Sequence, residues 1–213
     1  YSLLGCPVWG NLYLVEKQGI RNQSPETETL YVFGAGTTPD ILTRYYLHQK
    51  GLSYSLNYSF TTPGEISQGL LAGQIQTAVL AEPFLSVILR KDSTLSIKTS
   101  LNNPDSTSPG FAQTAIVYAP SLNDKRTLLD SLLNESCQFA VSQPQKVIEI
   151  LDSRNIFAPG VLTPESIERC RINYLSTGEA KESILDFLRL IEQYEPKAIG
   201  GKLPDNGFIS GER

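Results

Sequence analysis

Residues 30–91 alternate between short apolar runs and helical patterns, and this rhythm restricts the fold more than any other feature of the chain. Residues 30–33, 56–60 and 77–81 read as strands. Between them, Ile41, Leu42, Tyr45 and Tyr46 recur at helical spacing, as do Ile66, Leu70 and Leu71, and then Leu85, Ile88 and Leu89. Boundary signals agree. Thr38 stands where an N-cap would, with Pro39 at the first helical position, Asp40 in the first turn and Gly51 at the far end. Thr62-Pro-Gly-Glu65 has capping-box spacing, and Gly73 closes that helix. A β-α-β-α-β-α order of this kind predicts an α/β fold with a mostly parallel sheet and helices on its faces.

The junction Gly34-Ala-Gly36-Thr37-Thr38-Pro39-Asp40 carries the first functional reading. A strand that stops at two glycines and opens a helix aims backbone N–H groups at one point, where a small polar or anionic group can sit. Gly34 and Gly36 permit close backbone approach, and Thr37 and Thr38 add hydroxyls. Two sharper motifs are excluded. A dinucleotide fingerprint needs a third glycine where Pro39 stands, and a Walker loop needs a lysine that is absent. The same residues also read as a plain capped turn, and Asp40 already occupies the positive helix end. Glu82 and Pro83 follow a strand expected to be parallel, at the end where open α/β sheets bind ligands. Glu82 reads equally as a solvated residue at a helix start. Trp9 and Gly10 offer a flat apolar shelf or, alternatively, a partly buried hinge.

Outside this region, residues 10–16 alternate as a strand and 17–29 form a polar connector. Residues 92–110 are polar, with an edge strand at 95–99, and 111–118 read as a further strand. Beyond Asn123 the pattern is helical. Leu128, Leu129, Leu132, Leu133 and Phe139 make one stripe, and Val147, Ile148 and Leu151 the next. Thr163 caps a third helix, residues 179–194 form a fourth, and 196–204 read as a loop tail. These aliphatic stripes are expected to be core.

Charge and cysteine content exclude several classes. The 213 residues carry a net charge of −4 and no long basic run, which argues against nucleic acid as partner. No stretch is apolar for long enough to span a bilayer. Methionine is absent even at position 1, so a processed product or a fragment is expected. Cys6, Cys137 and Cys170 are far apart, no C-x-x-C pair exists and His48 is the single histidine, so no zinc site is expected. Cys137 and Cys170 can be a disulfide or two buried thiols. Ser2-Leu-Leu-Gly-Cys6 has the look of a lipoprotein cleavage site, but no charged or apolar leader precedes it and the next residues read as folded. No G-x-S-x-G and no serine–histidine–acid set is present, so no catalytic residue is assigned.

Taken together, Val8-Trp-Gly-Asn-Leu-Tyr-Leu-Val15, Gly34-Ala-Gly-Thr-Thr-Pro-Asp40, Gly73-Gln-Ile-Gln-Thr-Ala-Val-Leu-Ala-Glu-Pro83 and Pro196-Lys-Ala-Ile-Gly-Gly-Lys-Leu-Pro204 resemble the solute-binding proteins of ABC importers. The resemblance is to the nitrate/taurine/sulfonate and thiamine-precursor-like branch. It implies a type II periplasmic-binding-protein fold of two α/β lobes, with the N-terminal part of the first lobe absent and a helical C-terminal part. Residues 1–22 would be a remnant of the first lobe and the crossover strand, 23–120 the second lobe, and 121–213 a helical segment returning toward the first. The implied ligand contacts are Gly34, Gly36, Thr37, Thr38, Glu82 and Pro83, with Trp9 and Gly10 near the crossover and Gln113 at the start of the return strand. No cofactor or metal is implied.

The implied function is capture of a small polar solute, an anion among the candidates, by lobe closure outside the cytoplasm, at the periplasm or cell surface. Delivery to an ABC permease subunit follows, with the membrane touched only through an upstream lipid anchor. The alternative is an enzyme on the same fold, of the thiamine-pyrimidine or menaquinone-pathway type. One departure weakens any ligand inference: Gly73-Gln-Ile-Gln-Thr-Ala stands where such proteins often carry Gly-x-x-Asp-Ala. Absent first-lobe strands would also leave part of the core exposed, or covered by another chain.

Overall fold

The buried run at Thr77–Ala81 is the strand that organises the larger sheet. A computed structural model describes residues 1–19, 28–102 and 109–210. Its contacts divide the chain into two units, Leu12–Pro104 and Tyr1–Asn11 with Asp105–Arg213. The division drawn from the sequence changed at 22/23 and 120/121. The contacts change elsewhere because the strand after Asn11 pairs with strands of the larger sheet.

The unit Leu12–Pro104 is a five-stranded sheet with three helices. Its strands are β2 (Leu12–Lys17), β3 (Thr29–Tyr31), β4 (Ser55–Asn57), β5 (Thr77–Ala81) and β6 (Leu95–Ser100), in the order β4-β3-β5-β2-β6. The helices are α1 (Thr38–Lys50), α2 (Pro63–Leu71) and α3 (Phe84–Lys91). β3 is parallel to both β4 and β5, as the alternation requires. The sheet as a whole is mixed, not mostly parallel, because β2 is antiparallel to both β5 and β6. Alternation within 30–91 constrains only the strands it contains, and β2 precedes it. β6 occupies the edge expected for residues 95–99.

Local chemistry fixes the helices. Thr62 and Glu65 form the expected capping box, and Gly51 closes α1 in the left-handed conformation at φ 60°. Ile66, Leu70, Val15, Leu80 and Ile88 meet in the core between α2, α3 and the sheet. Lys17 locks the helix ends on that side. Its ammonium donates to the Leu70 and Leu71 carbonyls at the C-terminus of α2, at 2.8 and 3.1 Å, and pairs with Asp92 at 2.8 Å. A cation at a helix C-terminus satisfies carbonyls that the helix itself leaves open.

The other unit is built on β1 (Ser2–Val8), β7 (Ile116–Tyr118) and β8 (Ile172–Ser176), in the order β7-β1-β8, all antiparallel. Its helices are α4 (Arg126–Ser142), α5 (Pro144–Ser153), α6 (Pro164–Arg169), α7 (Thr177–Tyr194) and α8 (Asn206–Ser210). β1 is central, and Cys6 within it has 0% exposure. That placement makes Cys6 a packing residue and removes the lipoprotein-site reading of residues 2–6. Gly5 is required there, because a Cβ would run into the Leu175 carbonyl and reach 2.8 Å from the Tyr174 ring. All three cysteines are free thiols.

Three expectations for this unit need correction. The strand expected over 111–118 shortens to Ile116–Tyr118. The tail after residue 196 is not a plain loop: it turns at Pro196–Ile199, and α8 places Ile209 at 1% exposure and Phe208 against the Trp9 cluster. The α4 stripe is core on one side only. Leu128 and Leu132 are 56% and 52% exposed, and α4 has no fully buried residue.

Asp92 carries a pH signature. The Lys17 ammonium, then the Thr94 hydroxyl and backbone N–H, hold its carboxyl down at about 2. A folded-state pKa below the unfolded value of about 3.9 contributes stability that is complete above that value and is lost as pH falls toward the folded one. Melting curves of the protein and of Asp92→Asn, taken from neutral pH to about pH 2, should therefore converge below about pH 4, with the variant lower at neutral pH. Curves that stay parallel throughout would contradict this role.

Candidate functional site

Three strands of the sheet Leu12–Pro104 release their chains at the same edge. β3, β4 and β5 run parallel, so the segments after Tyr31, Asn57 and Ala81 all emerge at their C-terminal ends, and each opens a helix. This is the edge at which open α/β sheets bind ligands. The antiparallel partner β2 starts there as well, with Leu12 opposite Ala81. Asn102 secures that start. It is fully buried, accepts from the Leu12 N–H at 2.9 Å and donates to the Leu12 carbonyl at 2.8 Å.

The β3–α1 loop has the backbone its glycines imply, with Gly34 at φ 66° and Gly36 at φ 74°. The cap itself differs from expectation. Thr37, not Thr38, is the N-cap residue, and its side chain does not cap. Instead the Thr37 hydroxyl and N–H both donate to the Gly34 carbonyl, which closes the turn. Thr37 itself is extended, at φ −112° and ψ 179°, and leads into the first helical turn.

Asp40 organises the loop. It is 4% exposed, and it accepts from the Gly36 N–H at 2.8 Å, from the Arg44 guanidinium through two bonds of 3.1 Å, and from the Tyr58 hydroxyl at 2.7 Å. Tyr58 lies just after β4, so one carboxylate ties the β3–α1 loop to the β4–α2 loop. Burial and then the Asp40 hydrogen bond push the Tyr58 hydroxyl above its ordinary range. From sequence position Asp40 reads only as a first-turn acid at the positive helix end; the i,i+4 pairing with Arg44 and the reach to Tyr58 come from the structure.

Glu82 is buried at 8% exposure, so it is not the solvated residue of the plainer reading. Its carboxylate folds back onto α3, accepting from the Ser86 N–H at 3.2 Å and the Ser86 hydroxyl at 3.0 Å. Pro83, after a cis peptide, occupies the N-cap position of α3. Beside it, Phe84 is 41% exposed.

Trp9, Gly10 and Gln113 belong to the other unit. Trp9 has no exposed surface, packs with Leu3, Cys6, Ala180 and Ile184, and donates its indole N–H to the Asn173 carbonyl at 2.8 Å. It is a core residue of its unit. Gly10 is buried beside it. Gln113 precedes β7, where its N–H donates to the Val8 carbonyl at 2.9 Å and its side-chain amide to the Phe111 carbonyl at 3.3 Å. Two cavities, of about 360 and 390 Å³, also lie in this unit, lined mainly by α4, α6 and β8. Among the described residues, no group of histidine, cysteine, aspartate and glutamate could hold a metal ion, and no helix is long and apolar enough to cross a membrane.

Replacing Asp40 by alanine should lower stability by about 2–3 kcal/mol, the usual loss when a charged hydrogen-bond centre is removed. In urea denaturation the midpoint should fall, and by hydrogen exchange the Gly36 amide should lose its protection. An unchanged Gly36 exchange rate would show that Asp40 does not hold the loop.

Neither a family model nor a curated protein matches the chain. Solved structures do. An ABC transporter protein from Parabacteroides distasonis is 57% identical, over 97% of this chain and 72% of its own, with a TM-score of 0.91. The periplasmic aliphatic sulphonate binding protein of Escherichia coli is 13% identical, over 94% of this chain and 66% of its own, at 0.68. The periplasmic nitrate-binding protein of Synechocystis is 12% identical, over 98% and 63%, at 0.55. The two distant likenesses give the fold, that of periplasmic binding proteins, and this chain spans about two thirds of those proteins. The close one gives the family: the chain belongs to the solute-binding proteins of ABC importers.

Proposed function

We propose that this protein captures a small polar solute outside the cytoplasm and delivers it to an ABC permease, without catalysing a reaction. The unit Leu12–Pro104 would serve as the second lobe, and Tyr1–Asn11 with Asp105–Arg213 as the part of the first lobe present here. The observation that carries the reading is the shared edge of β3, β4 and β5. There Asp40 braces two helix-opening loops and Glu82 flanks a third.

The contacts proposed in this unit are Gly34, Gly36, Thr37 and Thr38 on one loop, with Glu82 and Pro83 on the neighbouring one. The loop's own bonding narrows their roles. Gly36 donates its N–H to Asp40 and Thr37 donates its hydroxyl to Gly34, so the partly exposed Thr38 is the stronger candidate for a direct donor. With Asp40 and Glu82 both at this edge, hydrogen bonding to a polar or singly charged group suits the chemistry better than a multiply charged anion. Trp9 enters as the packing that fixes Gly10, and Gln113 as a secondary contact. Lobe closure is the proposed mechanism: a solute that binds the closed state more tightly shifts the population toward it.

The sulphonate and nitrate ligands of the distant relatives supply the first probes. The enzyme alternative gains nothing from Glu82, whose carboxylate is already bonded to the first turn of α3. Isothermal calorimetry with methanesulfonate, nitrate and a free pyrimidine should give saturable 1:1 heat with at least one of them. Thr38→Val should then weaken that binding about tenfold, the loss of one well-placed hydrogen bond. Absence of heat with all three, or full affinity in the variant, would contradict the proposal.

A further inference from the structure

One exposed side chain at the rim of β3, β4 and β5 has no part in the contacts described so far. Each loop that opens a helix there carries a phenylalanine: Phe33 after β3, Phe60 after β4 and Phe84 after β5. Phe33 and Phe60 pack against the core of the sheet, and Phe60 meets the Tyr31 ring edge to face at 5.5 Å. Phe84 stands 41% exposed, while Leu85, Ser86 and Ile88 of the same helix are buried.

A lone exposed hydrophobic side chain needs no explanation. The place of Phe84 is what gives it meaning. Among the described residues of the unit Leu12–Pro104, Leu52 and Ile97 are the other exposed large hydrophobic side chains. Leu52 precedes β4, at the opposite edge of the sheet, and Ile97 lies along β6. Phe84 alone of the three stands where the parallel strands end. Its ring also reaches across to the next loop. A Cβ added to Gly64, in the first turn of α2, would lie 3.7 Å from Cε1 of Phe84. A bare glycine at that position leaves the ring uncovered on that side.

Polar groups at the same edge are largely engaged within the protein. Asp40 accepts from the Gly36 N–H, Glu65 from the Thr61 and Thr62 N–H groups at 2.7 and 3.1 Å, and Glu82 from the Ser86 N–H and hydroxyl. Each of the three helix starts thus spends donors on its own carboxylate. An aromatic face then becomes the larger source of contact, since stacking adds to the apolar area that a ring buries.

We propose that Phe84 is a specificity-determining residue of the solute site, and that the solute carries a planar ring which packs on it. The inference rests on the solute-binding reading and narrows its substrate class to polar molecules bearing a ring.

Isothermal calorimetry with benzenesulfonate, pyrimidine, methanesulfonate and nitrate separates the two claims. A ring-bearing probe should bind about tenfold or more tightly than either ringless one. Phe84→Ala should remove that preference and leave the ringless probes unaffected. Phe84→Tyr, which keeps the ring, should bind as the unsubstituted protein does, so that a general loss of structure is told apart from loss of the ring. Methanesulfonate or nitrate bound as tightly as the ring-bearing probes would overturn the inference and leave solute capture standing. So would ring binding that Phe84→Ala does not weaken. No heat from any of the four would remove both readings.

Discussion

One carboxylate sets the geometry of the β3–α1 junction. Asp40 is almost fully buried, where an unpaired charge would be costly. Arg44, Tyr58 and the Gly36 amide together remove that cost. The arrangement has two consequences. It fastens loops that follow two different strands and so fixes the rim of the sheet, which would lower the ordering cost of the binding proposed there. It also takes the Gly36 amide for internal use. The rim is thus poorer in free backbone donors than a glycine-rich helix start suggests, and side-chain hydroxyls gain importance.

The other unit depends on close approach. Gly5 lets β1 lie against the Leu175 carbonyl and the Tyr174 ring, and Trp9 fills the end of the same strand with its N–H satisfied. Thr177 adds to this by donating to the Leu3 and Leu4 carbonyls at 2.7 and 2.8 Å. Residues read as candidate ligand contacts or processing signals, Trp9 and Cys6, are core because the strand that carries them is central.

What the sequence disclosed follows the range of the interactions involved. Thr62, Glu65 and Gly51 mark helix ends through bonds of a few residues, and α1, α2, β5 and α3 were legible from them. β1 was not, since Ser2-Leu-Leu-Gly-Cys-Pro-Val is a continuous apolar run with a glycine and a proline, which lacks strand alternation. β8 is five residues between two helices and finds its partner, β1, some 170 residues earlier. The orientation of β2, the clamp of Asn102 on Leu12 and the reach of Tyr58 to Asp40 are likewise set by tertiary pairing. The α4 stripe shows the converse limit: periodicity identifies an apolar face but not what covers it.

The account turns on where a solute touches the protein. Backbone amide spectra recorded during titration with methanesulfonate and with nitrate test this most directly. Shifts concentrated at residues 34–38, 58–62 and 82–83 are the predicted result. Shifts centred on residues 134–142 and 172–174, or saturable binding that leaves the rim of β3, β4 and β5 unperturbed, would contradict it.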